Sequence, residues 1–567
     1  MEDREDLKSI LPFLPLLIRS SSLYWPARVV EALKAMSEGP SRSRVDSGEV
    51  LWLAISDMRQ SLSFSSRFVA PSASHGYALF FDELLPRKES NKWLNEIIPK
   101  LAKLLLQFTS LLEMHYQNAG KLFGGIETGL RLLGSEQTGI VFLSQELIGC
   151  LLACSLFCLF PDANRDAENL PGINFDHLFA SLYENYSENQ ESKIRCIMCY
   201  FERVFSCMPT GFVSFERKVI PAEYCYSSAT SPEADFWSKS ALPLCAFKVH
   251  TSGLIEDQPD DALEVDFANK YLGGGALSRG CVQEEIRFMI NPELIAGMFF
   301  LTCMDDNEAI EIVGAERFSC YTGYASSFRF AGEYIDRKPM DPFGRRRTRI
   351  VAIDALYGPK MRHFKHGCLL RESNKALCGF LHGCKYSQFQ SFKENGSQEM
   401  QLARNDNDPD CLCMETSSSH ETPSVYVETS KEKLANKIGR DSHVEGHQCM
   451  DHEDTIGIAT GNWGCGAFGG DPELKAMIQW LAASQARRPY ISYYTFGVEA
   501  LRKLDQVTEW ILSHEWAVGD LWNMMLEYTT QRLNRETDLG FFSWLLPWLT
   551  TTVTPPHHLN PQIRLDQ

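Results

Sequence analysis

Positive charge is scarce in this 567-residue chain: 55 lysines and arginines stand against 73 aspartates and glutamates, a formal net charge of −18. Proteins that coat nucleic acid do so with clustered cations that neutralise phosphates, so that class of activity is excluded, whereas a polyanion held in one local pocket is not. Long apolar runs are also missing. The longest, Leu147 to Phe160, falls short of the ~18 residues that a membrane span needs and reads as a buried helix. Cys150, Cys154 and Cys158 recur there every fourth residue, which aligns them on one helical face. The opening MEDREDLKSILPFLPLLIRSSS has acidic residues where a secretory signal has basic ones, so no signal peptide is expected. The 18 cysteines follow no regular spacing; a disulfide framework is not indicated, and a reducing compartment, nucleus or cytoplasm, is expected. No internal repeat marks a solenoid or propeller.

What is present is a globular composition, 44% hydrophobic and 23% charged, in a chain long enough for more than one folding unit. Residues 1–205 carry apolar residues at spacings of three and four, as in VVEALKAM and SQELIGCLLACSLFCLF, and read as a helical region. Residues 206–385 turn to short β-rich runs, LEVDFA, AIEIVGAERFSCYTGYA and RIVAIDAL, punctuated by Gly, Asn, Asp and Pro. Residues 386–453 are polar and poor in apolar content, which predicts a flexible insertion. The strand and helix pattern resumes over 454–535, and 536–567 reads as a tail.

Two glycine loops and a carboxylate pair carry the chemistry. In LEVDFANKYLGGGALSRGCVQEEIRF, the residues Leu263, Val265 and Phe267 alternate with Glu264 and Asp266 as a half-buried strand would, which places Asp266 and Asn269 near its end. Gly273, Gly274 and Gly275 follow, and three residues without side chains let backbone N–H groups approach a phosphate or sugar. Gln283, Glu284 and Glu285 come next. Neighbouring carboxylates repel, so in a partly dry site one keeps its proton at neutral pH, as the acid of a glycosidase must. The second loop, TGNWGCGAFGGD, feeds a helix capped by Asp471 with Pro472 at its first position, a setting that suits a diphosphate.

GGG, a seven-residue spacer and QEE, with VDFAN, CYTGYA, VAIDAL, TGNWGCG and YTFG around them in order, resemble the poly(ADP-ribose) glycohydrolase family in its eukaryotic, plant-like branch. That resemblance implies an α/β macrodomain-like three-layer α/β/α mixed sheet with an N-terminal α-helical accessory domain. It implies hydrolysis of the ribose–ribose O-glycosidic bonds of poly(ADP-ribose), free or on modified proteins, with ADP-ribose as product. Glu285 would be the general acid, with Glu284 orienting the ribose that Asp266, Asn269 and Gln283 shape. The first glycine loop would pack beside that ribose. Gly464, Cys465, Gly466, Ala467 and Phe468 would hold the diphosphate, Ile255 and Glu256 would meet the adenine, and Tyr324 and Phe496 would enclose the nucleotide.

No metal, cofactor, membrane contact or sequence-specific nucleic-acid binding is implied, and the setting would be the DNA damage response in nucleus or cytoplasm. The rival readings are a non-catalytic ADP-ribose binding module, which has no use for an intact QEE, and a metal-dependent nucleotide pyrophosphohydrolase. The CxxC of Cys196 and Cys199 lies in a helical pattern, and the cluster of His363, His366, Cys368, Cys378, His382 and Cys384 matches no standard zinc spacing. Arg345, Arg346, Arg347 and Arg349 form the clearest basic run, a candidate attractor for long polymer.

Overall fold

The computed structural model describes residues 4–20, 22–63, 69–119, 127–221, 235–258, 261–382 and 456–547. The polar insertion expected at 386–453 lies outside the described residues, as do residues 548–567 of the tail expected at 536–567; the start of that tail is instead folded, with Phe541–Leu545 a short helix whose Phe541, Phe542, Trp544 and Leu545 are buried.

Eight strands form one mixed sheet: β1 (Gly139–Ser144), β2 (Phe212–Val219), β3 (Ala246–His250), β4 (Ala262–Ala268), β5 (Glu308–Val313), β6 (Arg349–Asp354), β7 (Gly457–Gly461) and β8 (Tyr490–Tyr494). Their spatial order is β1-β2-β5-β6-β4-β7-β8-β3. The strands β6, β4, β7, β8 and β3 run parallel to their neighbours, and β5, β2 and β1 continue the sheet antiparallel. Six helices bear on the sheet and the site: α1 (Gln145–Leu156), α2 (Glu188–Ser206), α3 (Gln283–Ile290), α4 (His366–Phe380), α5 (Pro472–Gln485) and α6 (Val518–Leu533).

The two faces of the sheet are both covered. Ile350 and Ala352 of β6 join a single hydrophobic cluster that extends back through Leu151 and Phe201 to Leu7, so the N-terminal helices pack on that face. Val351 and Ile353 point the other way; a Cβ on Gly379 of α4 would stand 2.7 Å from Ile353 Cγ2 and 3.2 Å from Val351 Cγ2. The result is three layers, helix on sheet on helix, as the family resemblance implied. Burial on both faces explains why β5 and β7 are buried at every position.

Two sequence expectations change here. The helical reading of residues 1–205 did not anticipate β1, whose GIVFLS pairs with β2 and makes the region part of the sheet. Only the β-branched, aromatic run before Ser144 signalled it, and that run is short enough to merge with the helix that Ser144 caps. The cysteine line also breaks: α1 ends at Leu156, and Cys158 lies beyond it with φ +50°. Cys196 and Cys199 lie within α2 as expected. No helix among the described residues is long and apolar enough to cross a membrane.

The antiparallel edge is fixed by a buried ion pair between Arg217 of β2 and Glu308 of β5, both fully enclosed. Arg217 also donates to Thr302 O at 2.5 Å, and Glu308 accepts from Asp305 N–H at 3.0 Å. Removing one partner leaves a charge without compensation in a dry interior. Arg217→Leu should therefore lower unfolding free energy by about 3 to 5 kcal/mol in urea titrations. The Arg217→Leu/Glu308→Leu double variant should recover much of that loss.

Candidate active site

Every parallel strand contributes its C-terminal end to one cavity of about 520 Å³, a volume suited to a nucleotide-sized ligand. Phe267 and Ala268 come from β4, Ala355 follows β6, Asn462 to Phe468 follow β7, Phe496 follows β8, and Leu254 to Glu256 follow β3. Tyr324 and the start of α3, Val282 and Gln283, complete the wall. The sequence-derived residues Ile255, Glu256, Gln283, Tyr324, Gly464, Cys465, Gly466, Ala467, Phe468 and Phe496 all meet here. Tyr324 and Phe496 are about half exposed at its mouth. Phe496 holds φ +50°, a conformation a bulky residue rarely adopts without a local reason.

Glu284 and Glu285 lie just behind that wall, buried in the first turn of α3. Here the first glycine loop departs from expectation. Gly273 N–H donates to Glu284 Oε1 at 2.7 Å and Gly275 N–H to Glu285 Oε1 at 2.9 Å, while Gly274 N–H closes a turn on Tyr271 O. The three amides are therefore occupied by the chain itself, and none is left for a phosphate. The second oxygen of Glu284 accepts from Asn269 N–H at 2.9 Å, and that of Glu285 from Val282 N–H at 2.8 Å.

The glycines are needed because the carboxylates lie on top of them. A Cβ on Gly274, at φ +49°, would stand 2.5 Å from Glu284 Oε2, and one on Gly280 would stand 2.6 Å from Glu285 Oε1. Gly280, which sequence reasoning passed over, belongs to the same clasp.

Glu264 and Asp266 are not on a half-buried face either; both are almost fully buried beneath α3. Glu264 pairs with Arg287 at 2.5 Å and Lys338 at 2.6 Å. Among the described residues Asp266 has no hydrogen-bond partner for either oxygen. Burial raises the Asp266 carboxyl to about 7, with the Glu285 charge adding to the effect against the pull of Arg287. Burial, then Asp266 and Glu285, push Glu284 well above the ordinary carboxylate range. The raised carboxyls are thus Glu284 and Asp266, and together they retain a proton at neutral pH. Gln283 bridges the strand end, accepting from Phe267 N–H at 2.8 Å and donating to Val265 O at 3.1 Å.

Groups with no sequence signal hold these pieces. Lys193 of α2, wholly buried, donates to Ser278 O at 2.7 Å and Gly280 O at 2.6 Å, and Gln190 donates to Ser278 O at 2.7 Å. Burial lowers Lys193 to about 8. Beneath the second loop, Lys475 of α5 pairs with Glu372 and stands 3.6 Å from the centre of the Trp463 ring. Asp354 at the end of β6 pairs with Arg371 at 2.6 Å and Lys375 at 2.5 Å. Asp471 caps α5 as expected, accepting from Glu473 and Leu474 N–H groups, and Gly464 takes φ +72° where a Cβ would meet Ala355 at 2.5 Å. Among the described residues no group of three or more His, Cys, Asp or Glu is arranged to hold a metal; Cys384 lies outside them.

The family description "Poly (ADP-ribose) glycohydrolase (PARG), Macro domain fold" matches residues 234–503, and its helical-domain companion matches residues 85–217. The protein named "Poly(ADP-ribose) glycohydrolase 1" of Arabidopsis thaliana is 72% identical over 560 residues, 98% of this chain and 100% of that one. The chain belongs to the poly(ADP-ribose) glycohydrolase family. "Probable poly(ADP-ribose) glycohydrolase 2" of the same plant is 53% identical over 97% of this chain and 100% of its own length. A Caenorhabditis elegans protein named "Poly(ADP-ribose) glycohydrolase 1" is 30% identical over 59% of this chain and 35% of its own. Membership makes the chain an enzyme, a hydrolase of poly(ADP-ribose), rather than a binding module.

Two outcomes are expected from this geometry. Gly280→Ala should displace the Glu285 carboxylate and cut turnover by about 10²-fold, the cost of misplacing a reacting group by an ångström, with binding of ADP-ribose retained in calorimetry. Asp266, raised in the folded state, contributes stability that is full below its ordinary value and is lost as pH rises through about 7. Asp266→Asn should accordingly raise the melting temperature at pH 8, and the gain should vanish near pH 4.

Proposed function

We propose that Glu285 supplies the proton that releases ADP-ribose from poly(ADP-ribose). The observation that carries this reading is convergence: Val282 and Gln283, which lead into Glu285, line the same cavity as the loop Gly464 to Phe468, far away in sequence. An ADP-ribose unit lies with its adenine against Ile255, Glu256 and Phe496 and its diphosphate along the second loop. Its distal ribose sits at Gln283, before the Glu284 and Asp266 carboxyls. Asn269 fixes Glu284 through its backbone N–H, and Tyr324 closes the mouth.

Glu285 protonates the oxygen of the departing ribose as the C1–O bond breaks and positive charge develops on the distal ribose. Water then adds at C1 and returns its proton to Glu285, leaving free ADP-ribose and a shortened polymer. Gly273 and Gly275 take part through their N–H grip on the glutamates, and all three glycines through the close approach that backbone without side chains allows the sugar. The protein substrates are poly(ADP-ribosyl)ated proteins of nucleus or cytoplasm, in the response to DNA damage. The described cysteines form no disulfide with one another, which supports a reducing compartment, and the net charge of −18 supports the absence of sequence-specific nucleic-acid binding.

Incubation of the parent and of Glu285→Gln with purified poly(ADP-ribose) tests the assignment. Release of ADP-ribose should fall by about 10²- to 10⁴-fold in the variant, with polymer binding retained. Equal release by both would remove Glu285 from the acid's role.

A further inference from the structure

The basic run singled out in the sequence is consumed within the fold. Arg345 pairs with Asp341 at 2.8 Å, Arg346 lies 3.7 Å from Glu316, Arg347 lies 3.5 Å from Asp261 and Arg349 lies 3.6 Å from Glu311. Unneutralised cations stand elsewhere, on the turn after β6. Lys360, Arg362 and Lys365 are exposed, and no acidic side chain among the described residues pairs with them.

That turn is tied to the diphosphate side of the cavity. Gly358 N–H donates to Phe468 O at 3.0 Å, and the rings of Tyr357 and Phe468 meet edge to face with centroids 5.3 Å apart. Phe468 lines the cavity; Tyr357 does not, and at 74% exposed it presents its ring to solvent. The underside is anchored: Phe364 is buried against the Tyr528 ring and beneath the Arg532 guanidinium, and His363 is enclosed. Arg362 Nη2 stays near the carbonyls of Tyr357 and Gly358, at 3.5 and 3.4 Å.

An exposed ring beside three unpaired cations, on a firm base at the rim of a nucleotide cavity, has the make-up of a second nucleotide subsite: a flat base gains by stacking, and phosphates gain by cation contact. We propose that Tyr357, Lys360, Arg362 and Lys365 bind the ADP-ribose unit next to the one in the cavity, its adenine on Tyr357 and its diphosphate on the cations. The subsite rests on the poly(ADP-ribose) hydrolase reading and adds to it a means of favouring long chains over short ones. A linked second unit binds at high effective concentration, so a weak subsite suffices.

The test uses Tyr357→Ala and, separately, Lys360→Glu/Arg362→Glu/Lys365→Glu, all at exposed positions outside the catalytic wall. Turnover and binding of length-sorted polymer are measured with binding of monomeric ADP-ribose and of poly(A) RNA. Each variant should raise KM for long polymer by about tenfold and leave monomer affinity within about twofold, and the triple variant should flatten the salt dependence of polymer binding by about two units of slope. Unchanged polymer binding would overturn the subsite, as would an equal loss for monomer, which would place these residues in the first site. Loss of RNA binding with polymer binding intact would assign the patch to nucleic acid and also overturn it. A parent that binds polymer but releases no ADP-ribose would count against the hydrolase reading alone, since the binding measurements still decide the subsite.

Discussion

The site depends on two carboxylates being clasped by glycine amides. Glu284 and Glu285 leave the first turn of α3 in a direction that would be closed by any Cβ at Gly274 or Gly280, and each finds two N–H donors there. Without those donors, adjacent buried carboxylates would repel and turn toward solvent. With them, one turn of helix holds both side by side behind the cavity wall. The spacing from GGG to QEE reflects that geometry: the loop must travel out, reverse at Ser278 to Gly280, and return under the helix it serves.

A clasp made from a loop is only as firm as what holds the loop. Its outward end is gripped by a neighbouring helix of the same layer, where Lys193 and Gln190 of α2 take the carbonyls of Ser278 and Gly280. A wholly buried lysine is costly unless its protons are bonded, and here they are bonded to backbone rather than to a counter-ion. The N-terminal helices thus do more than cover the sheet; they set the position of the turn that clasps Glu284 and Glu285. A parallel arrangement supports the second loop, where Lys475 beneath Trp463 and the network of Asp354, Arg371, Glu372 and Lys375 replace water with fixed charge.

Residues with a strong local signature were legible in the sequence: the strands β4, β6, β7 and β8 and the Asp471–Pro472 helix start, whereas the wall of the cavity from Ile255 to Phe496 was implied by the family resemblance. What was not legible is what depends on a partner distant in the chain. The alternation of Leu263, Val265 and Phe267 with Glu264 and Asp266 reads as a solvent-facing strand, because periodicity records which residues share a face and not what covers it. The cover is α3, and the polar face is the carboxylate layer of the site. Lys193 reads as one more charge on a helix, and the arginine run from 345 to 349 reads as a basic patch, until their partners are placed. GGG reads as a loop that approaches a phosphate or sugar for a similar reason, since glycine reports that something comes close but not that it is the chain's own carboxylate.

Three costly features lie around the cavity. Asp266 has two buried oxygens without donors among the described residues, Glu284 is pushed toward its protonated form, and Phe496 holds a left-handed backbone at the rim. Such features persist only where the surroundings over-determine them. Here the surroundings are the hydrophobic cluster from Leu7 to Ala352 on one face of the sheet and the packed helices α4 and α5 on the other. The antiparallel edge, with its enclosed Arg217–Glu308 pair, has no part in the cavity and fixes the sheet against which the strained ends are held. The two halves of one sheet thus differ: the antiparallel half encloses the Arg217–Glu308 pair, while the parallel half ends in Asp266, which has no hydrogen-bond partner among the described residues, and in the open loops of the cavity.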